Sequence, residues 1–324
     1  MAAKSTSSSS CFSFLREALL LPTRNPKLFT PVLLFLFVAS MVAPLTNVLC
    51  IQPLAADLGH LAAETKNTDP TSAEYARILE ETQRDATKIL AAAAALLLVA
   101  LPLAFAKQIL AFSAASTTHS GGRYSLAELL RALTTKGSGA LNLKGPCITI
   151  AVVTVLEVSS MALLGALLYA MIGGRGSSKS GVIFVVLGLL FVLAVIAFLY
   201  LNVVAMVGVA ASVVDGEGCR GLRALRRAWG LMTRVKWKKG FVLLLPAYLL
   251  PTLVAPLYAF GMMYAKTSMA IGLCLLSVYA LLSSACELFA IAAATVYYYQ
   301  AMEGREGTTA CDHDAKIPTG ETNV

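Results

Sequence analysis

The chain is poor in charge. Only 14% of its 324 residues are Asp, Glu, Lys or Arg, against about 25% in an ordinary soluble domain. That shortfall argues against a water-formed globule with a solvated shell. Histidine is scarcer still: His60, His119 and His313 stand apart in stretches expected to be loops. No HExxH, Walker or GxSxG pattern occurs, and no catalytic acids pair at short range. The expectation is therefore of a protein that is not an enzyme and that holds no metal or cofactor. Seven cysteines (11, 50, 147, 219, 274, 286, 311) include no CxxC pair, which argues against a zinc site and against a disulfide framework. A Cys50–Cys274 bridge is the one pairing considered, because both fall near the same end of their spans. No Asn-x-Ser/Thr sequon is present to report orientation.

What the chain has in abundance is apolar sequence: 57% of residues are hydrophobic and mean hydropathy is +0.73. About 20 such residues in a row cross a bilayer, and six runs qualify. The fold class expected is all-α, a polytopic transmembrane bundle of six spans with three short cytosolic amphipathic interfacial helices. Residues 1–27 form a cytosolic tail and amphipathic helix. Residues 28–302 are the membrane domain, with spans at about 28–51, 89–112, 146–172, 182–214, 241–265 and 269–299. Residues 303–324 lack an apolar period and are expected to be a disordered cytosolic tail.

Segment by segment, 12–21 places Phe12, Leu15 and Leu19 on one face, with Pro22 and Pro26 expected to end the helix. The acidic stretch 52–88 reads as a loop whose Thr71-Ser72-Ala73-Glu74 capping box starts a helix that rises into the second span. Ser125-Leu126-Ala127-Glu128 is a second capping box, ahead of a Leu126/Leu129/Leu130/Leu133 stripe. The spacing of Pro246, Pro251 and Pro256 predicts a kinked or broken fifth span. Short helix, span, span recurs three times as a pattern. If the N-terminus is cytosolic, the inner side carries 19 Lys and Arg and the outer side 7. The positive-inside rule then puts both termini in the cytosol of a plasma membrane or endomembrane.

The stretch 215–240, DGEGCRGLRALRRAWGLMTRVKWKKG, holds eight of the 26 basic residues. Its Gly216-x-Gly218-x-x-Gly221 matches a dinucleotide fingerprint in sequence but follows a membrane helix, not a strand. The glycines are read as a break between helices. Leu222, Leu225, Trp229 and Met232 share a face, while Arg223, Arg226, Arg227 and Arg234 lie elsewhere. Such a helix is expected to lie in the headgroup layer. The lipid-interface set is Arg220, Arg223, Arg226, Arg227, Trp229, Arg234, Lys236, Trp237, Lys238 and Lys239. Membrane lipids, anionic ones included, are the expected partners, with a cytosolic protein as an alternative and no nucleic acid. The opposing reading is that these charges only set topology.

Glu157, Asn202 and Glu287 fall inside apolar spans. Intramembrane acids raise proton or cation handling, and equally fit protonated, hydrogen-bonded helix contacts. Two small-residue stripes, Ala162/Ala166/Ala170 with Gly165 and Cys286/Ala290/Ala294, are read as packing faces.

SFLREALLLPTRNPKLFTPVLLFLF and SVVDGEGCRGLRALRRAWGLMTRVKWKKG together resemble a group of plant polytopic membrane proteins of unknown function, sometimes labelled as binding partners of a poly(A)-binding protein. The pattern acid, Gly, then Ala-Leu-x-x-Ala-Trp-x-Leu ahead of a span is similar to bacterial six-helix integral-membrane domains. The resemblance implies six spans and brings no functional residues with it. The leading functional expectation is a non-enzymatic membrane protein that organises lipid or recruits partners at the cytosolic face. The alternative is a small-solute or proton-coupled transporter using Glu157 and Glu287.

Overall fold

The structure is a computed structural model that describes residues 12–68, 71–134, 144–173, 180–215, 219–235 and 237–314; side chains are described for these except at 134, 173, 180–183, 234–239 and 304–314. Among them there is no strand. The helices are α1 (Ser13–Arg24), α2 (Pro26–Thr46), α3 (Gln52–Asn67), α4 (Ala73–His119), α5 (Leu126–Thr134), α6 (Lys144–Gly173), α7 (Ser180–Val214), α8 (Leu222–Gly230), α9 (Trp237–Val242), α10 (Leu250–Ala265) and α11 (Met269–Asp314). Six segments are long and apolar enough to cross a membrane: Pro26–Asn67, Ala73–His119, Lys144–Ile172, Phe184–Val214, Gly240–Ala265 and Met269–Glu303. Many outward-facing residues within them are large and apolar, Tyr169 being 80% and Leu98 76% exposed. A helix apolar all round suits a lipid surrounding.

Several boundaries differ from expectation. Residues 52–67 are helical, not loop: α2 runs through a π-helical turn, Asn47–Ile51, into α3. Pro53 has no N–H to give the carbonyl four residues back. Just before it, the Gln52 N–H reaches five residues back to the Asn47 carbonyl, so the wider turn accommodates the missing donor. The second span is the inner part of one 47-residue helix. Its polar start is capped by Ser72, one residue later than the expected box, with Ser72 Oγ 3.1 Å from the Tyr75 N–H. Arg77–Glu81 and Lys88–Asp85 pairs add local support. Pro22 lies inside α1 because in a last turn it forfeits one hydrogen bond only. The tail expected to be disordered from 303 is helical through Asp314; extending an existing helix avoids the nucleation cost. Residues 315–324 lie outside the described part. Cys50 and Cys274 are both free.

Two compact units emerge. The first comprises 1–30, 109–249 and 287–324, and the second 31–108 and 250–286. In the second, α10 and α11 form a tight antiparallel hairpin across Lys266–Ser268. A side chain at Gly261 would meet Leu276, and one at Gly272 would meet Ala265. The Tyr258 and Tyr279 rings meet in a tilted pair at 5.3 Å. These three pairs keep one register, and small residues on one side of each of the two glycine pairs allow the close approach. Ser284 donates to Ser40, Asn47 to the Tyr258 hydroxyl and Gln52 to the Met262 carbonyl.

The first unit has a core of Phe14, Leu21, Leu28, Leu129, Ile150, Val203, Leu243, Tyr297 and Tyr298, all fully buried or nearly so. The short helix α5 is closed by the Ser125–Glu128 capping box. Glu128 Oε2 accepts the Ser125 N–H at 2.7 Å, and Ser125 Oγ accepts the Glu128 N–H at 3.4 Å. That backbone hydrogen bond, with the side-chain one, holds the Glu128 carboxyl below its ordinary value. A depressed carboxylate stabilises above its unfolded pKa, and the contribution is lost as pH falls through the folded value. Hydrogen-exchange protection of 126–134 is therefore expected to fall on acidification below about pH 4.3. Glu128→Gln keeps a capping acceptor without a titrating group; a pH dependence that survives it sinks this account.

Candidate functional site

Four consecutive residues of α11 reach four places. A helix turns about 100° per residue, so Tyr297, Tyr298, Tyr299 and Gln300 span most of its circumference. Tyr297 meets the Phe14 ring of α1 edge-on at 6.0 Å. The Tyr298 hydroxyl donates to Asp215 Oδ2 at the end of α7. Tyr299 shares a hydrogen bond with Ser116 at 3.0 Å and stacks on His119, both near the end of α4. Gln300 Nε2 donates to Glu17 Oε2 of α1 at 3.0 Å. Glu17 also lies 3.7 Å from His119 and 3.9 Å from Arg24. Sequence reasoning passed over this stretch; its signal was three adjacent tyrosines at the end of an apolar run.

Asp215 anchors α8 as well. Arg227 Nη1 pairs with its Oδ2 at 2.6 Å, and Arg227 Nη2 reaches Met302 Sδ at 3.4 Å. The turn between α7 and α8 depends on Gly221, whose φ of +54° favours glycine. The Gly221 N–H donates to Thr149 Oγ1 at 2.9 Å. Gly216 and Gly218 lie outside the described residues. Gly208 of α7 leaves room for Leu225. Ala224, Leu225, Ala228, Leu231 and Met232 are buried as α8 and the π turn Leu231–Val235 pack onto the first unit.

The apolar face expected for the headgroup layer is thus divided. Leu225 and Met232 are buried in protein, while Leu222 (70%) and Trp229 (46%) stay exposed, with Trp229 edge-on to Tyr200 at 5.1 Å. Arg223 and Arg226 are exposed and Arg220 is half-buried. Arg227, expected among the lipid-interface residues, has its guanidinium engaged by Asp215. The side chains of Arg234, Lys236, Trp237, Lys238 and Lys239 lie outside the described residues.

A second polar cluster sits within the first unit. Glu157 and Ser160 of α6, Asn202 of α7, and the apolar Val153, Leu156, Leu201, Ala205 and Leu225 line a cavity of about 10 Å³. Tyr248 is hydrogen-bonded to the Asn202 side chain and lies within electrostatic reach of Glu157. Tyr248 belongs to a third π turn, Leu245–Leu249, that contains Pro246. A kinked or broken fifth span is the expectation; this π turn is where the α-helix is interrupted, and it has a local cause in the donor Pro246 lacks. Glu287 of α11 is half-buried and is not among the residues lining this cavity.

The two small-residue stripes part company. Ala290 and Ala294 are buried, as a packing face requires. Ala162, Ala166 and Ala170 are exposed and nothing approaches Gly165 within 4 Å, so that stripe is not a packing face among the described residues. The described residues gather no three His, Cys, Asp or Glu side chains able to hold a metal. No family model, curated protein or solved structure matches this chain.

Proposed function

We propose that this is a non-enzymatic, multi-pass integral membrane protein with both termini cytosolic, which gathers anionic lipid at its cytosolic face through α8 and its basic neighbours. The likeness to plant and bacterial six-helix membrane proteins belongs to the same reading. The observation that carries it is the division of labour on α8. Its inner side is spent on docking and on the Asp215–Arg227 pair, while Arg223 and Arg226 remain exposed beside exposed Leu222 and Trp229. A rigidly held basic strip with an interfacial tryptophan suits a negatively charged headgroup layer.

Each base near such a surface contributes roughly 1 kcal/mol, so two are worth about thirtyfold in lipid preference. The test uses the full-length chain in vesicles of phosphatidylcholine with and without phosphatidylserine, measuring retention of spin-labelled phosphatidylserine. Arg223→Gln with Arg226→Gln is expected to reduce that preference by roughly ten- to thirtyfold, leaving the fold intact because neither side chain is part of the Asp215 pair. An unchanged preference refutes the reading.

A transporter role is the second reading, supported by Glu157 at the cavity it shares with Asn202 and Ser160. Organic solutes occupy pockets of about 300–1,000 Å³. A cavity of about 10 Å³ narrows this reading to a proton or a single small ion.

A further inference from the structure

We propose that Glu157, Ser160 and Asn202 form a binding site for one small monovalent cation, which exchanges with a proton on the Glu157 carboxyl. The site goes beyond the lipid role and is independent of it. Two helices supply its polar lining, α6 with Glu157 and Ser160 and α7 with Asn202, and Tyr248, on the π turn around Pro246, is hydrogen-bonded to Asn202 beside it. π turns inside helices recur at functional positions. Here the turn is the local consequence of a proline, and it carries the tyrosine to Asn202 on a different helix.

The space admits one occupant. A volume of about 10 Å³ is close to the room a single water-sized sphere needs, so an organic ligand does not fit. The donors are hard. The Ser160 hydroxyl gives its hydrogen to the Leu156 carbonyl at 2.7 Å, leaving the oxygen lone pairs. Asn202 gives one Nδ2 hydrogen to the Phe198 carbonyl at 2.9 Å and is hydrogen-bonded to Tyr248; its carbonyl oxygen carries two lone pairs, so it can serve as a ligand even where one accepts that bond. Glu157 adds two carboxyl oxygens. Oxygen sets of this kind suit small hard cations.

Charge selects the valence. Glu157 lies thirteen residues, about 20 Å, along α6 from Lys144, within a stretch apolar enough to cross a membrane. A bare carboxylate there is expensive, and the described lining holds no Lys, Arg or His to offset it. From α8 the lining receives Leu225, which carries no charge, and Tyr248 is the other titratable group beside Glu157. A proton or one monovalent cation makes the site neutral, whereas a divalent ion leaves a surplus positive charge. In the exchange the carboxyl O–H bond breaks, the proton passes to water, and the cation takes its place; nothing is oxidised or reduced.

The test is modification by dicyclohexylcarbodiimide, which attacks protonated carboxyls in apolar surroundings. Full-length protein in neutral detergent is treated in choline chloride or in sodium, lithium or potassium chloride at equal ionic strength, and the peptide carrying Glu157 is quantified by mass spectrometry. Labelling is expected in choline. An alkali cation is expected to slow it by a factor of one plus its concentration over Kd, roughly tenfold at ten times Kd. Asn202→Ala should still label but lose most of that protection, which separates a binding defect from misfolding. Glu157→Gln should not label at that position. Labelling that no alkali cation slows, or no labelling at all near neutral pH, overturns the proposal.

Discussion

Replacing Arg227 by Met will destabilise the full-length protein by about 3 kcal/mol and release α8 from the end of α7. The guanidinium is the cation facing Asp215, and the two side chains are 31% and 22% exposed. Breaking a buried ion pair costs about 3–5 kcal/mol, and partial exposure places this pair at the low end. The carboxylate left behind keeps the Tyr298 hydroxyl, which is too little to balance a charge in so apolar a setting. Thermal unfolding in detergent gives the energy. Trp229, packed on Tyr200, gives the local signal, since its emission will move when α8 lifts. Asp215→Asn removes the opposite charge of the same pair, so the double variant leaves no unpaired charge and should recover a large part of the loss. Strict additivity of the two single variants would show that the pair does not couple α8 to the core.

The second large effect is expected in the α10–α11 hairpin. A Cβ at Gly272 would lie 2.5 Å from the Ala265 Cα and 2.6 Å from its N. These are backbone atoms with no rotamer to yield, so Gly272→Leu must open the hairpin. Overpacking of this kind costs roughly 1–3 kcal/mol, and this site belongs at the top of that range. Gly165→Ala is the matched control. Nothing lies within 4 Å of Gly165, so removing a mid-helix glycine there should be neutral or stabilise by up to about 1 kcal/mol. If the two substitutions cost the same, the hairpin register described above is wrong.

These contrasts show how far the residues could be read by eye. Both glycines lie in apolar runs beside small neighbours. Gly165, with Ala162 and Ala166, looked the better packing motif, yet it is Gly272 that meets a backbone. Spacing reports which side chains share a face but not what the face meets. In water the apolar side of a helix must turn inward. Within hydrocarbon, lipid and protein neighbours are equally apolar, so that cue disappears. The same limit divided α8: periodicity grouped Leu222, Leu225, Trp229 and Met232, and packing then separated the buried from the exposed.

The sequence by itself determined the helical class, the six apolar segments, the α5 capping box and the break near Pro246. All are local or additive properties: the backbone must satisfy its own hydrogen bonds in a span, and proline lacks a donor wherever it sits. The tertiary structure alone decided that Arg227 pairs with Asp215, that three tyrosines and a glutamine tie α1, α4 and α7 to α11, and that Tyr248 bonds to Asn202. Those partners are 12 to 283 positions apart along the chain, and no periodicity connects them. Only the packing of whole helices brings them together, because the cost of an isolated polar group inside an apolar bundle is relieved by whichever partner that packing delivers.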